Sequence, residues 1–191
     1  MAYAQPNLLD PPVDTSRDHV LGPLDAELTL VEYGSYACTP CHVVHEVVEA
    51  LRNRFGDRLR YVYRHFPVNE NPEAQRAAVL AEYLSEATGR FWEVHEILME
   101  RGTALSRSDL VRVRHDFDLS GKDSEAGTAF MAAEARVRED IASAERSGAR
   151  VAPTFYINGR RYSGTWDESS LADALLAPLG HRIQSAAFKF V

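Results

Sequence analysis

Cys38 and Cys41 are the only cysteines in a chain of 191 residues, and they stand three positions apart in the run EYGSYACTPCHVVHE. A thiol pair at this spacing can cycle between dithiol and disulfide, supply half of a metal site, anchor a haem, or fill a core as two small apolar groups. His42 follows at once, which completes the C-x-x-C-H pattern of covalent haem attachment. His45 extends the pair to a ligand-like spacing for zinc. Each rival needs more than the pair. Haem attachment requires export and a second axial ligand. A structural zinc site usually draws its second pair of ligands from a separate segment, whereas His65, His95, His115 and His181 are scattered without paired spacing. Inert thiols prefer burial, which a helix start denies the first of them.

The elements around the pair decide what each sulfur meets. ELTLVEYGS (27–35) is short, mostly apolar and β-prone, as a buried strand should be. Cys41, Val44, Val48, Leu51 and Phe55 then recur at helical steps, and Gly56 sits where that helix should end. Cys38 thus falls at a strand-to-helix turn, where unpaired N–H groups and the positive dipole end favour an anion. A thiolate is that anion, and it is the form that attacks disulfides. Pro40 needs no N–H in the first turn and fixes φ for the helix. Cys41 lies one turn deeper, placed to break a mixed disulfide. His42 shares the face of Cys38; protonated it would favour the thiolate, and otherwise it is a polar residue of the first turn. Glu32, six residues before Cys38, is either a buried proton acceptor for Cys41 with a raised pKa or a carboxylate facing solvent at a strand end.

LRYVYRHFPV (59–68) predicts a second strand, and strand, helix and strand within about 40 residues predict a βαβ unit. Residues 72–147 are rich in Ala, Glu and Arg and predict helices over 73–87, 90–101, 107–116 and 123–147, with Ser106 and Asp109 as a capping box and Gly148 as a C-cap. In APTFYINGRRYSG, Asn158–Gly159 predicts a hairpin between 154–157 and 160–163. Asp167, or a serine just after it, caps a last helix to about 177. The sum is βαβ, a helical block, then ββα: an α/β domain from which an insertion leaves and to which it returns.

HVLGPLDAELTLVEYGSYACTPC, YVYRHFPV and VAPTFYING together resemble the thioredoxin superfamily, most closely its DsbA-like thiol:disulfide oxidoreductases, over roughly residues 18–178. The resemblance implies a thioredoxin fold (βαβ…ββα) with an inserted helical subdomain. It divides the chain into an extended lead-in (1–17), a thioredoxin-like domain (18–71 and 148–180), the helical insertion (72–147) and a tail (181–191). It makes Cys38 the attacking cysteine, Cys41 the resolving one and Glu32 the buried acid. Ala152–Pro153 becomes a cis-proline loop that faces the cysteines and, with Thr39 and Pro40, offers backbone to a substrate strand by β-augmentation. The implied activity is exchange with protein or peptide thiols and disulfides, coupled to a redox partner, with no dissociable cofactor and no metal. A zinc-binding or redox-sensing module of the same fold, without turnover, is the alternative. Relatives often carry Pro-Tyr or Pro-His between the cysteines, and thioredoxin Gly-Pro. Thr39–Pro40 departs from both, so no reduction potential carries over. Some relatives are fused to sodium/proton antiporters, which admits such a link here by resemblance alone.

The net charge of −7 gives no footprint for nucleic acid or an anionic membrane. No apolar run approaches the ~20 residues a membrane span needs. The start lacks a basic region followed by a hydrophobic one, so a cytoplasmic protein is expected if Met1 is the natural start, and a periplasmic one if a precursor is cleaved. Phe91–Trp92 is expected in helix packing rather than in a substrate groove, Trp166 as a packing anchor, and Arg160–Arg161 as a solvated turn.

Overall fold

Strand β2 (Leu28–Gly34) is buried at all seven positions, which is what its near-continuous apolar sequence requires. In the computed structural model, which describes residues 7–67, 72–117 and 126–177, β2 lies at the centre of a five-stranded mixed sheet. The order is β1-β3-β2-β4-β5, with β1 His19–Leu21, β3 Leu59–His65, β4 Thr154–Ile157 and β5 Arg160–Arg161. β2 runs parallel to β3, and the other neighbours are antiparallel.

Alternation along the strands sends side chains to two cores. Leu28, Leu30, Tyr61 and Tyr63 face one side, with Cys41, Val44, Val48, Leu51 and Phe55 of helix α1 (Thr39–Phe55). Val31, Tyr33 and Val62 face the other, with Leu9, Ala144 and Ala149. The five apolar positions predicted for α1 are the five it buries, and Gly56 ends it at φ 51°, a left-handed conformation that suits glycine.

Helices α2 (Pro72–Thr88), α3 (Phe91–Glu100), α4 (Arg107–Asp116) and α5 (Ala126–Arg146) are inserted between β3 and β4. Both halves of the Ser106–Asp109 capping box are formed. Positions 123–125 of the longest predicted helix lie outside the described residues, as do residues 1–6 and the tail 181–191. Asn158 (φ 49°) and Gly159 (φ 79°) make the hairpin turn, and α6 (Glu168–Leu176) is capped by the Asp167 side chain, which accepts from the Ser170 N–H.

One strand lies outside the predicted elements, and two expectations are corrected. β1 carries no strand signal of its own, yet it pairs antiparallel with β3, His19 opposite Tyr63. Arg160–Arg161 is strand β5, antiparallel to β4 as the hairpin signal predicts but ending at Arg161 rather than at 163, so the pair is no solvated turn; Arg161 donates to the Gly148 carbonyl at 2.9 Å. Its outer edge is covered: the Leu9 N–H donates to the Gly159 carbonyl and the Arg161 N–H to that of Asn7, both at 2.9 Å. Trp166 is 38% exposed and anchors no core. Phe91 is buried and stacked on His19, while Trp92 donates to the Val20 carbonyl at 3.3 Å, so this pair belongs to helix packing.

Candidate active site at the start of helix α1

Strand β2 delivers the chain to the turn Ser35–Ala37, and Cys38 is the N-cap of α1. Cys38 and Cys41 are joined by a disulfide. Their surroundings differ. Cys41 is fully buried on the apolar face of α1, whereas Cys38 is half-buried beside the exposed Thr39 and Pro40. The Cys38 sulfur accepts from the Cys41 N–H at 3.2 Å, and no acidic residue occupies the first turn. A thiolate at this position would keep that hydrogen bond and gain from the helix dipole. His42 is half-buried and donates through Nε2 to the Tyr36 carbonyl at 2.7 Å.

The Val151–Thr154 segment comes from the far side of the insertion and lies against the pair. The Ala152 carbonyl oxygen stands 3.2 Å from the Cys38 sulfur. The Ala152–Pro153 bond is cis, and the Thr154 hydroxyl donates to the Val151 carbonyl at 2.6 Å.

Glu32 is 1% exposed. It sits one step beyond Leu30 on the same face of β2, so it points toward the α1 side of the sheet. Tyr61 donates to its Oε2 at 2.8 Å, and Oε1 has no hydrogen-bond partner. Burial pushes the Glu32 carboxyl up from its ordinary 4.5 to about 7, against the pull of the Tyr61 hydrogen bond. Gly34 makes room for it: a Cβ there would stand 2.8 Å from Glu32 Oε1 and 2.5 Å from the buried Tyr63 ring.

These features can be set beside known proteins. The thioredoxin family model matches residues 14–176. The chain belongs to the thioredoxin family. Within it, the chain is 52% identical over 187 residues to a protein named Na(+)/H(+) antiporter NhaA from Nitrosospira multiformis, covering 97% of this chain and 30% of that protein. It is 38% identical over 172 residues to Na(+)/H(+) antiporter NhaA 1 from Mycolicibacterium gilvum, covering 88% and 28%. The chain thus spans less than a third of the curated relatives it matches. BdbD from Bacillus subtilis superposes with a TM-score of 0.71 at 19% identity, covering 85% of this chain and 92% of that one. The thiol-disulfide exchange protein alpha-DsbA2 from Wolbachia pipientis also gives 0.71, at 15% identity, covering 85% and 87%. The fold is therefore the α/β thioredoxin fold of DsbA-like proteins, with helices inserted into it, and its C-x-x-C pair forms a disulfide.

Two parts of this thioredoxin-family site escaped the sequence reading. Tyr61 meets Glu32 because the alternation of YVYRH puts Tyr61 and Tyr63 on the face that Glu32 shares, a signal available in the sequence. The second part is an apolar groove of about 340 Å³ lined by Thr39, Pro40, Val43, Val44 and Trp166. Val43 is 67% exposed on the outer face of α1. Nothing local ties Trp166 to it; only the fold brings them together. The zinc reading of the sequence joined Cys38 and Cys41 to His45. Here the sulfurs bond each other, and His45 Nε2 pairs with Glu96 Oε2 at 2.8 Å. No helix among the described residues is long and apolar enough to cross a membrane.

Proposed function

We propose that this thioredoxin-family chain is a thiol–disulfide oxidoreductase acting on protein or peptide substrates. The observation that carries it is the asymmetry of the pair. Cys38 is half-buried at the N-cap of α1, with a backbone N–H donated to its sulfur. The other is buried one turn below.

In the reducing direction the Cys38 thiolate attacks a substrate disulfide. A Cys38–substrate S–S bond forms, the substrate's own S–S bond breaks, and the first substrate thiolate takes a proton from solvent. Cys41 then gives its proton to the ionised Glu32 and attacks the Cys38 sulfur. The second substrate thiolate leaves and is protonated, so the substrate gains two electrons and two protons while the pair becomes a disulfide. Oxidation of a substrate dithiol is the reverse. A carboxyl near 7 suits the transfer, because it is partly ionised at neutral pH.

Substrate backbone docks along Ala152 and Pro153 by strand addition. Thr39, Pro40, Val43 and Trp166 take an apolar side chain next to the bond being exchanged. His42 acts through its hold on the Tyr36 carbonyl, which fixes the turn before Cys38. In a cytoplasmic setting, a poise of about −220 to −320 mV would keep an oxidising pair reduced and favour the reductase direction. The antiporter names of its relatives point to a membrane transporter as the process served.

The test is equilibrium titration of the pair against glutathione, run beside a catalysed insulin-disulfide assay. A reversible couple with catalysed exchange supports the proposal. A reversible couple without catalysis would leave a sensor, and a redox-inert pair would end the proposal.

A further inference from the structure

We propose that His45, His95 and Glu96 form a binding site for a divalent transition-metal ion, with zinc the fitting case, bridging α1 and α3 apart from the cysteine pair. One donor atom from each side chain lies within 4.8 Å of the others. Donors around a tetrahedral zinc stand roughly 3.3 Å apart, given bonds near 2.0–2.1 Å, so closure asks for modest side-chain adjustment. Glu96 can make it, since its side chain is 38% exposed.

The second observation is His95. It is 1% exposed, and its Nε2 has no hydrogen-bond partner. Its other nitrogen, Nδ1, stands 3.1 Å from the Tyr36 hydroxyl. With Nδ1–H donating to Tyr36, Nε2 carries a lone pair in a dry position. Metal-binding imidazoles are fixed in this way, with one nitrogen donating to a neighbour and the other left for the ion. An orphaned buried nitrogen is otherwise a cost of roughly 1–3 kcal/mol.

The donor set selects the ion. Two imidazoles and a carboxylate suit zinc and its transition-metal neighbours, whereas calcium and magnesium prefer oxygen alone. Three protein ligands leave one position for water. The site joins the helix that carries the cysteines to the inserted helices, and the His45 and His95 rings already lie 5.6 Å apart.

The experiment uses untagged, oxidised protein, in which the disulfide keeps both sulfurs from ligating. Zinc chloride is titrated calorimetrically, and cobalt(II) is followed by its visible absorption. One equivalent should bind, excess magnesium should not displace it, and the melting temperature should rise with zinc. His45→Ala and Glu96→Ala should each weaken binding at least ten-fold and abolish the thermal shift. Both side chains reach the surface, so these variants should fold. Tyr36→Phe, which leaves all three ligands, should weaken binding about ten-fold. Absence of stoichiometric uptake by the oxidised protein, displacement by magnesium, or binding unchanged in both alanine variants would overturn the site.

Discussion

The Cys38 sulfur and the Ala152 carbonyl oxygen lie 3.2 Å apart across 114 positions of sequence. The contact holds the half-buried Cys38 against the main chain of the Val151–Thr154 segment, where the proposed function seats the substrate strand. It also makes the two cysteines unequal: Cys38 has this neighbour and the Cys41 N–H, while Cys41 has the apolar face of α1. Cys38→Ser should therefore reduce insulin-disulfide reduction to the uncatalysed rate. Cys41→Ser should still attack but fail to resolve, and mixed disulfides should accumulate on non-reducing gels. Full activity of Cys38→Ser would refute the assignment of the attacking sulfur.

Glu32 acts after the attack if it takes the Cys41 proton. Glutamine keeps the acceptor for Tyr61 and removes the base. Glu32→Gln should slow decay of the mixed disulfide more than its formation, and the wild-type resolution rate should climb as pH rises through about 7. Stopped-flow single turnovers separate the two steps. Equal slowing of both would remove Glu32 from proton transfer.

The same carboxyl sets a slope in stability. Its folded pKa is raised from 4.5 to about 7, so between these values the folded protein holds a proton that the unfolded chain has lost. That contribution is fully present below 4.5 and is lost as pH rises through about 7. The loss amounts to roughly 3 kcal/mol at 1.36 kcal/mol per pKa unit. Glu32→Gln should flatten this segment of the curve and leave the variant more stable than wild type at pH 8, read by urea denaturation. A variant less stable at pH 8, with the slope intact, would place the proton elsewhere.

What the sequence makes legible is what repeats along one element. The α1 face, β2 and the Asn158–Gly159 hairpin follow from period and turn chemistry, and they put Cys38 at a helix start. β1 is three residues long and is held by pairing with β3, so no local pattern marks it. Glu32 could be read as a buried acid or an exposed one from its neighbours alone. Its burial comes from the elements packed over its face of the sheet. The groove shared by Trp166 and the start of α1 and the His45–His95–Glu96 cluster join segments far apart in sequence. Such contacts depend on how the helices seat.

The groove beside Cys38 has an almost wholly apolar wall, with Thr39, Pro40, Val43 and Trp166 accessible and Val44 buried. If it holds a substrate side chain, Val43→Asp and Trp166→Ala should each raise KM for an apolar peptide disulfide several-fold with little change in kcat. Both should leave reduction by a small thiol such as glutathione unchanged, because that reaction does not fill the groove. Equal losses with peptide and glutathione would mean that the substitutions act on the sulfurs instead.

Arg64 is fully buried on the α5 face of β3, where alternation sends it opposite to Tyr63. It donates to both oxygens of the buried Asp18, at 3.0 and 2.8 Å, and to the Tyr33 and Ser143 hydroxyls and the Pro11 carbonyl, each at 3.0 Å. Residues 11–18, β2, β3 and α5 thus meet at one guanidinium. Burial raises the Asp18 pKa, but the Arg64 hydrogen bonds and charge outweigh it, and the net shift is downward. The pair's contribution is accordingly present above pH 3.8 and lost as pH falls through the lower folded value. Asp18→Ala removes one partner and leaves a buried charge, which typically costs about 3–5 kcal/mol. The double variant Asp18→Leu, Arg64→Met removes both charges and should recover much of that loss. Urea denaturation of the single and double variants at pH 7 measures the difference. Equal destabilisation of the two would mean that Arg64 has an escape to solvent and that this corner holds together by its apolar contacts.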